Sequence, residues 1–168
     1  MAFDVSLPSG NLGEEESALA QCFMAIAGFV RKMSGTSEVD TESMNRAVAK
    51  MVEEALKYIA LNAMTNNTDS YIGGNKQNYS SYEANDVFSV LPWDYNMAFG
   101  GLGSSNLLID EPTQGTLAER PLVAKLLAVD EYKEMYHTII QNALEGYLSS
   151  ATFKQRVEEV SAMISSYV

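Results

Sequence analysis

At 168 residues, with 46% hydrophobic and 20% charged residues, the chain can bury one core and is too apolar for wholesale disorder. Its 22 acidic and 11 basic residues give a formal charge of -11, a field that repels nucleic acid and anionic lipid and draws cations to converging carboxylates. The single cysteine, Cys22, excludes an internal disulfide, and no stretch approaches the roughly 20 apolar residues of a membrane span.

Residues 1–13 hold Pro8, Gly10 and Gly13 and read as a flexible lead-in without the basic and apolar regions of a signal peptide. A first helix is predicted over Glu14–Met33, with Leu19, Cys22, Phe23, Ile26, Phe29, Val30 and Met33 on one stripe. Cys22 reads there as a small buried hydrophobe rather than a nucleophile. After Ser34-Gly-Thr-Ser, Asp40 or Thr41 caps a longer helix reaching about Ala63, with Met44, Val48, Met51, Val52, Leu56 and Ile59 facing inward. Met64–Asn78 collapses into Asn, Thr, Ser and Gly, the composition of a loop.

Two short strands follow, Tyr79–Glu83 and Val87–Leu91, and Ala84-Asn-Asp is short enough to close a hairpin. Pro92 ends the second strand, and Trp93–Gly101 is irregular. Three helices complete the chain. The first spans about Arg120–Ala128, with Pro121 in its first turn. Asp130 caps the second, whose stripe runs from Tyr132 and Met135 through Ile140 to Leu144 and Tyr147. Ser149 or Ser150 caps the last, with Phe153, Val157, Val160, Met163 and Ile164 inward. The expected fold is mainly α (α+β): one helical domain over residues 14–168 carrying a single small β-hairpin.

Several chemistries have little to build on. His137 is the only histidine and lies mid-helix, there is no GxxxxGK[ST] loop, and Gly100-Gly-Leu-Gly is too short for a dinucleotide fingerprint. What remains is a loop–hairpin–loop with a carboxylate at each end. Asp69, Asn75 and Asn78 precede the hairpin, and Asp94 follows it in Pro92-Trp-Asp-Tyr-Asn. A hairpin brings its ends together, so Asn78 and Asp94 are expected side by side, with Asp69 near them. Two carboxylates and a carboxamide at one rim suit a Mg²⁺–nucleotide site. Protein kinases use the same order of Asp, Asn and a later Asp. By spacing alone, the simpler reading of these residues is turn formation.

The loop Asn66-Asn-Thr-Asp-Ser-Tyr-Ile-Gly-Gly-Asn-Lys-Gln-Asn-Tyr and the block Pro92-Trp-Asp-Tyr-Asn-Met-Ala-Phe-Gly-Gly resemble the motifs of the CotH-like atypical kinases. Leu108-Ile-Asp-Glu-Pro-Thr, Arg120-Pro-Leu-Val-Ala-Lys-Leu-Leu-Ala and Glu131-Tyr-Lys-Glu-Met-Tyr-His extend the similarity through the chain's second half. The resemblance implies the C-terminal lobe of a kinase domain. Asp69 then corresponds to the catalytic Asp, and Asn78 and Asp94 to metal ligands. Asn96 stands where many relatives carry a second acidic residue, and Gln77 where a His is frequent. The implied cofactors are Mg²⁺ or Mn²⁺ and ATP, and the implied acceptor is a protein hydroxyl. Relatives occur in spore coats and on bacterial surfaces, so the alternative is a non-catalytic coat or surface module that keeps the fold. No strand-rich N-terminal lobe with a phosphate-holding Lys precedes Asp69. The chain is therefore expected to be a fragment, inactive alone and prone to self-association through exposed apolar surface.

Overall fold

The structure, a computed structural model, describes residues 41–84, 87–103 and 107–168. The lead-in, the helix expected over Glu14–Met33 with Cys22, and the hairpin tip Asn85-Asp86 lie outside the described residues. The chain divides into two compact units, 1–46 and 47–168, and apart from the first residues of the first helix the features described below lie in the second.

Helix α1, Thr41–Met64, contains no Gly or Pro and is rich in Ala, Met, Leu and Glu, which favour helix. It stops where the sequence turns to Asn. Asn66 adopts a left-handed conformation (φ 46°). The Asn67 amide then donates to the Asn62 carbonyl at 2.9 Å, and the Asn66 amide to that of Ala63 at 3.1 Å. This paired closure satisfies carbonyls that a helix end leaves open. Of the expected stripe, Leu56 and Ile59 are fully buried and Met51 and Val52 half-buried.

The hairpin forms where the two short strands and their brief connection were expected to place it. Strand β1, Tyr79–Ala84, pairs antiparallel with β2, Val87–Pro92, in the register Tyr79↔Pro92 to Ala84↔Val87. A short 3₁₀ turn, Tyr95–Met97, follows. Helix α2, Pro121–Leu127, starts with proline at its first position, where no amide is needed. Helix α3 spans Asp130–Glu145 and helix α4 Ser150–Ile164. Asp130, expected as a cap, is instead the first helical residue, with Val129 in the capping position. There its carboxylate still faces the positive end of the helix dipole. Among the described residues the architecture is mainly α with one two-stranded sheet.

The core gathers Leu56, Ile59 and Ala60 of α1, Tyr71 and Ile72 of the following loop, Val123 and Leu127 of α2, and Tyr136 and Ile140 of α3. Each large aliphatic side chain there contributes roughly 1.5–3 kcal/mol through burial. Helix α4 departs from expectation. Val157, Val160, Met163 and Ile164 are 36–63% exposed, and the helix meets the rest of the unit where Phe153 packs on Phe99, ring centroids 5.5 Å apart. Periodicity identifies an apolar face but not whether anything covers it. Leu144 and Tyr147 at the end of the α3 stripe are likewise exposed.

Candidate functional site

The loop after α1 is not the open connection that its composition suggests. Thr65 and Asn67 through Gly73 are buried, although most of them are polar. Their side chains satisfy one another. The Asn62 side-chain amide donates to the Tyr58 carbonyl at 2.8 Å, while its oxygen accepts from Asn67 (3.1 Å) and from the Tyr95 hydroxyl (2.9 Å). The Asn67 side-chain oxygen in turn accepts the Asp69 amide at 3.2 Å, and the Ser70 hydroxyl donates to the Asn67 carbonyl at 2.7 Å. Among the described residues no buried side-chain nitrogen or oxygen lacks a partner. A polar core is tolerable only when satisfied in this way. Through Asn62 and Asn67, Tyr95 links the Pro92–Gly101 block to the Asp69 loop. Burial pushes the Tyr95 hydroxyl up to about 12 and that of Tyr58 well above the ordinary phenol range.

A second set of contacts holds the loop from the opposite side. Arg120 is 1% exposed. Its Nε donates to the Tyr71 carbonyl at 2.7 Å, Nη2 to the Gly73 carbonyl, and Nη1 to the Glu119 carbonyl at 3.1 Å. The Gln114 amide donates to the Ile72 carbonyl at 2.8 Å, and the Gln114 side chain accepts from the Gly74 amide at 2.9 Å. Gly73 is required here, because a Cβ would sit 1.5 Å from the Thr68 carbonyl oxygen.

Asp69 itself is buried, and its carboxylate is gripped at both oxygens. Gln77 Nε2 donates to Oδ1 at 2.5 Å, and Asn78 Nδ2 to Oδ2 at 2.9 Å and to the Asp69 carbonyl at 2.8 Å. Two acceptors facing one end of the Asn78 amide identify that end as the NH₂. Oδ1 is therefore the acceptor end of Asn78.

At the other strand end, the Trp93 amide donates to the Asn78 carbonyl at 3.1 Å, continuing the hairpin past its last pair. Asp94 comes next, exposed and left-handed at φ 52°. Asn78 has the same conformation at φ 59°, so the chain leaves the ladder sharply at both ends. Left-handed Asn and Asp are the least strained non-glycine residues for such turns. Phe99 (φ 58°) is a costlier case, held by the hydrogen bond that its amide donates to the Thr65 carbonyl at 2.5 Å. Asn96 is exposed within the 3₁₀ turn, and Asn75 is exposed in the loop.

The structure thus joins Asp69 and Asn78 directly. It sets Asp94 at the adjacent strand end, outside their hydrogen-bonded pair. Among the described residues no three His, Cys, Asp or Glu side chains converge as a metal cluster. A hollow of about 450 Å³ lined by Ile109, His137, Ile140, Gln141, Leu144 and Glu145 contains none of the candidate residues. Sequence reasoning gave Gln77 and Arg120 no role in the site and found little for His137 to build on. The His137 ring bonds Asp110 at 2.6 Å, beside the Lys133–Asp110 pair at 2.9 Å.

Among the described residues no helix is long and apolar enough to cross a membrane. No curated protein and no solved structure matches the chain. A family model described as CotH kinase protein matches residues 13–168. With nearly its whole length matched, hairpin and both flanking loops included, the chain belongs to the CotH kinase family.

Proposed function

We propose that this chain carries the acceptor-facing and cation-holding part of a kinase site, for transfer of a phosphoryl group from Mg-ATP to a protein hydroxyl. The observation that supports the reading best is the Asp69–Asn78 pair at the foot of the hairpin. Asp69 orients the acceptor hydroxyl and takes up its proton. Asn78 Oδ1 and the Asp94 carboxylate are the oxygen ligands that would hold Mg²⁺ or Mn²⁺, with Asn96 nearby as a neutral donor of oxygen. The donor set fits a hard cation, which keeps several waters and takes only one or two carboxylates. When bound, the cation would neutralise charge on the phosphates. In a low-dielectric loop, fixed groups of this kind act without reorganising.

Titration of the purified chain with Mn²⁺, followed by the electron paramagnetic resonance of the free ion, tests the reading. Wild-type binding that is lost in Asp94→Ala and in Asn78→Leu is expected. Wild-type affinity in both variants would remove these residues from the site.

A second reading is a non-catalytic coat or surface module. The exposed α4 stripe of Val157, Val160, Met163 and Ile164 favours it, because apolar surface of this kind suits assembly with another protein or a second copy. Analytical ultracentrifugation distinguishes the two, since the assembly reading requires association that Val160→Lys and Met163→Lys reverse.

A further inference from the structure

We infer that Gln77 is the positioning residue for Asp69: with Asn78, it fixes the rotamer and the plane of the Asp69 carboxylate through one neutral amide donor on each oxygen. The inference rests on the reading of Asp69 as the acceptor-facing carboxylate, and it goes further by assigning what aims that group.

Gln77 and Asn78 are consecutive, and in an extended chain consecutive side chains point to opposite faces. Here both reach one carboxylate, Gln77 at Oδ1 (2.5 Å) and Asn78 at Oδ2 (2.9 Å). The backbone makes this possible by leaving the extended region on either side of Gln77, with Lys76 at φ 52° and Asn78 at φ 59°. Two left-handed non-glycine residues so close together are uncommon, and such conformations persist where surrounding contacts hold them. The Asp69 backbone is fixed separately, by Asn67 at its amide and Asn78 at its carbonyl. That leaves rotation about the Cα–Cβ and Cβ–Cγ bonds as the freedom still to be removed, and the pair of amides on the two oxygens removes both.

The chemistry of the donors suits the task. A carboxylate accepts about four hydrogen bonds, so one amide per oxygen leaves room for the hydroxyl of an acceptor. An amide carries no charge, so it neither competes with a bound cation nor changes with pH. Gln77 is exposed while Asp69 beneath it is buried. The side chain therefore lies on the solvent side of the carboxylate and outside the packed core, so water takes over its hydrogen bond when it is replaced and the fold is expected to stay intact.

The test is NMR on the isotopically labelled full chain. Couplings across the Asp69 Cα–Cβ bond report whether one rotamer is occupied, and the Gln77 side-chain amide reports its hydrogen bond. Wild type is expected to show one Asp69 rotamer and a Gln77 amide signal that moves in Asp69→Asn. Gln77→Ala should give rotamer averaging with an unchanged thermal midpoint, and Gln77→Glu the same or more, because two carboxylates then face each other. Gln77→His restores a donor the same number of bonds from Cα and should restore the single rotamer. A purely structural role would not produce that rescue. A single Asp69 rotamer retained in Gln77→Ala, or a Gln77 amide indifferent to Asp69→Asn, overturns the inference. The same sample titrated with Mn²⁺ separates the two ideas. If wild type binds no cation, the phosphoryl-transfer reading falls, while the couplings still decide whether Gln77 aims Asp69.

Discussion

Replacing Arg120 by Met would leave the Tyr71 and Gly73 carbonyls without the guanidinium that holds them, in a part of the core closed to water. Hydrogen bonds from a charged donor are worth about 1.5–3 kcal/mol each, and unsatisfied buried acceptors add to the loss. The expected destabilisation is about 3 kcal/mol or more, read as a lowered urea midpoint at constant slope. Arg120→Lys should recover little, because an ammonium is a point charge and cannot span two carbonyls as a planar fork does. A midpoint unchanged in both variants would show that the fork does not hold the loop. The nearness of Asp69 to Asn78 was legible from their positions relative to a hairpin, whereas the roles expected of them came only from the family resemblance. Arg120 was not legible. Its carbonyl partners lie 49 and 47 residues away, and an Arg before a proline at a helix start reads locally as surface. Gln77 stood out only as a replacement for His, and its contact with Asp69 was not legible for a different reason: the left-handed residues on either side redirect it, and no local pattern announces them.

The segment before α2 is tied to α3 at the opposite end from Arg120. The Tyr136 hydroxyl donates to the Ile109 carbonyl at 2.9 Å, and Asp110 pairs with His137 and Lys133. The His137 hydrogen bond, followed by that of Lys133, holds the Asp110 carboxyl below its ordinary value of 3.8. A depressed carboxyl contributes stability that is present above the unfolded value and is lost as pH falls through the folded one. The tie should therefore survive to below the usual carboxylate range and then release. Backbone amide shifts of Leu108–Glu111, followed from neutral pH downward, should show one acid transition that Asp110→Asn abolishes. A transition at or above the ordinary carboxylate value would contradict the pairing. Elements with strong local signals, such as the hairpin and the proline-started α2, follow their sequence closely. The burial of α4 could not be read the same way, since an apolar stripe carries no record of its partner. The Asn-rich segment is the loop its composition predicts, but its burial was not legible for a related reason. Polar composition marks a surface loop only when the side chains have water to bond, and here they bond one another.

Whether the whole chain can transfer phosphate depends on more than Asp69 and Asp94. Phosphoryl transfer gains its rate from positioning and charge neutralisation, and kinases hold the α- and β-phosphates with a lysine on a strand-rich lobe above the metal site. Among the described residues the only sheet is the β1–β2 hairpin. Lys57, the basic residue on α1 nearest the Asp69 loop in sequence, is committed to Glu53 at 2.8 Å and Glu54 at 3.4 Å on the exposed helix face. Its amine is held protonated chiefly by the Glu53 hydrogen bond, as a surface pair rather than a phosphate clamp. The 168-residue chain is accordingly expected to bind a divalent cation but to transfer no phosphate by itself. Incubation of the purified chain with labelled ATP, Mg²⁺ or Mn²⁺ and a protein acceptor checks this. Background incorporation, equal in wild type, Asp69→Ala and Asp94→Ala, is the expected result. Robust wild-type labelling that disappears in both variants would show instead that these residues suffice for catalysis, with the phosphates held by groups other than a strand-borne lysine.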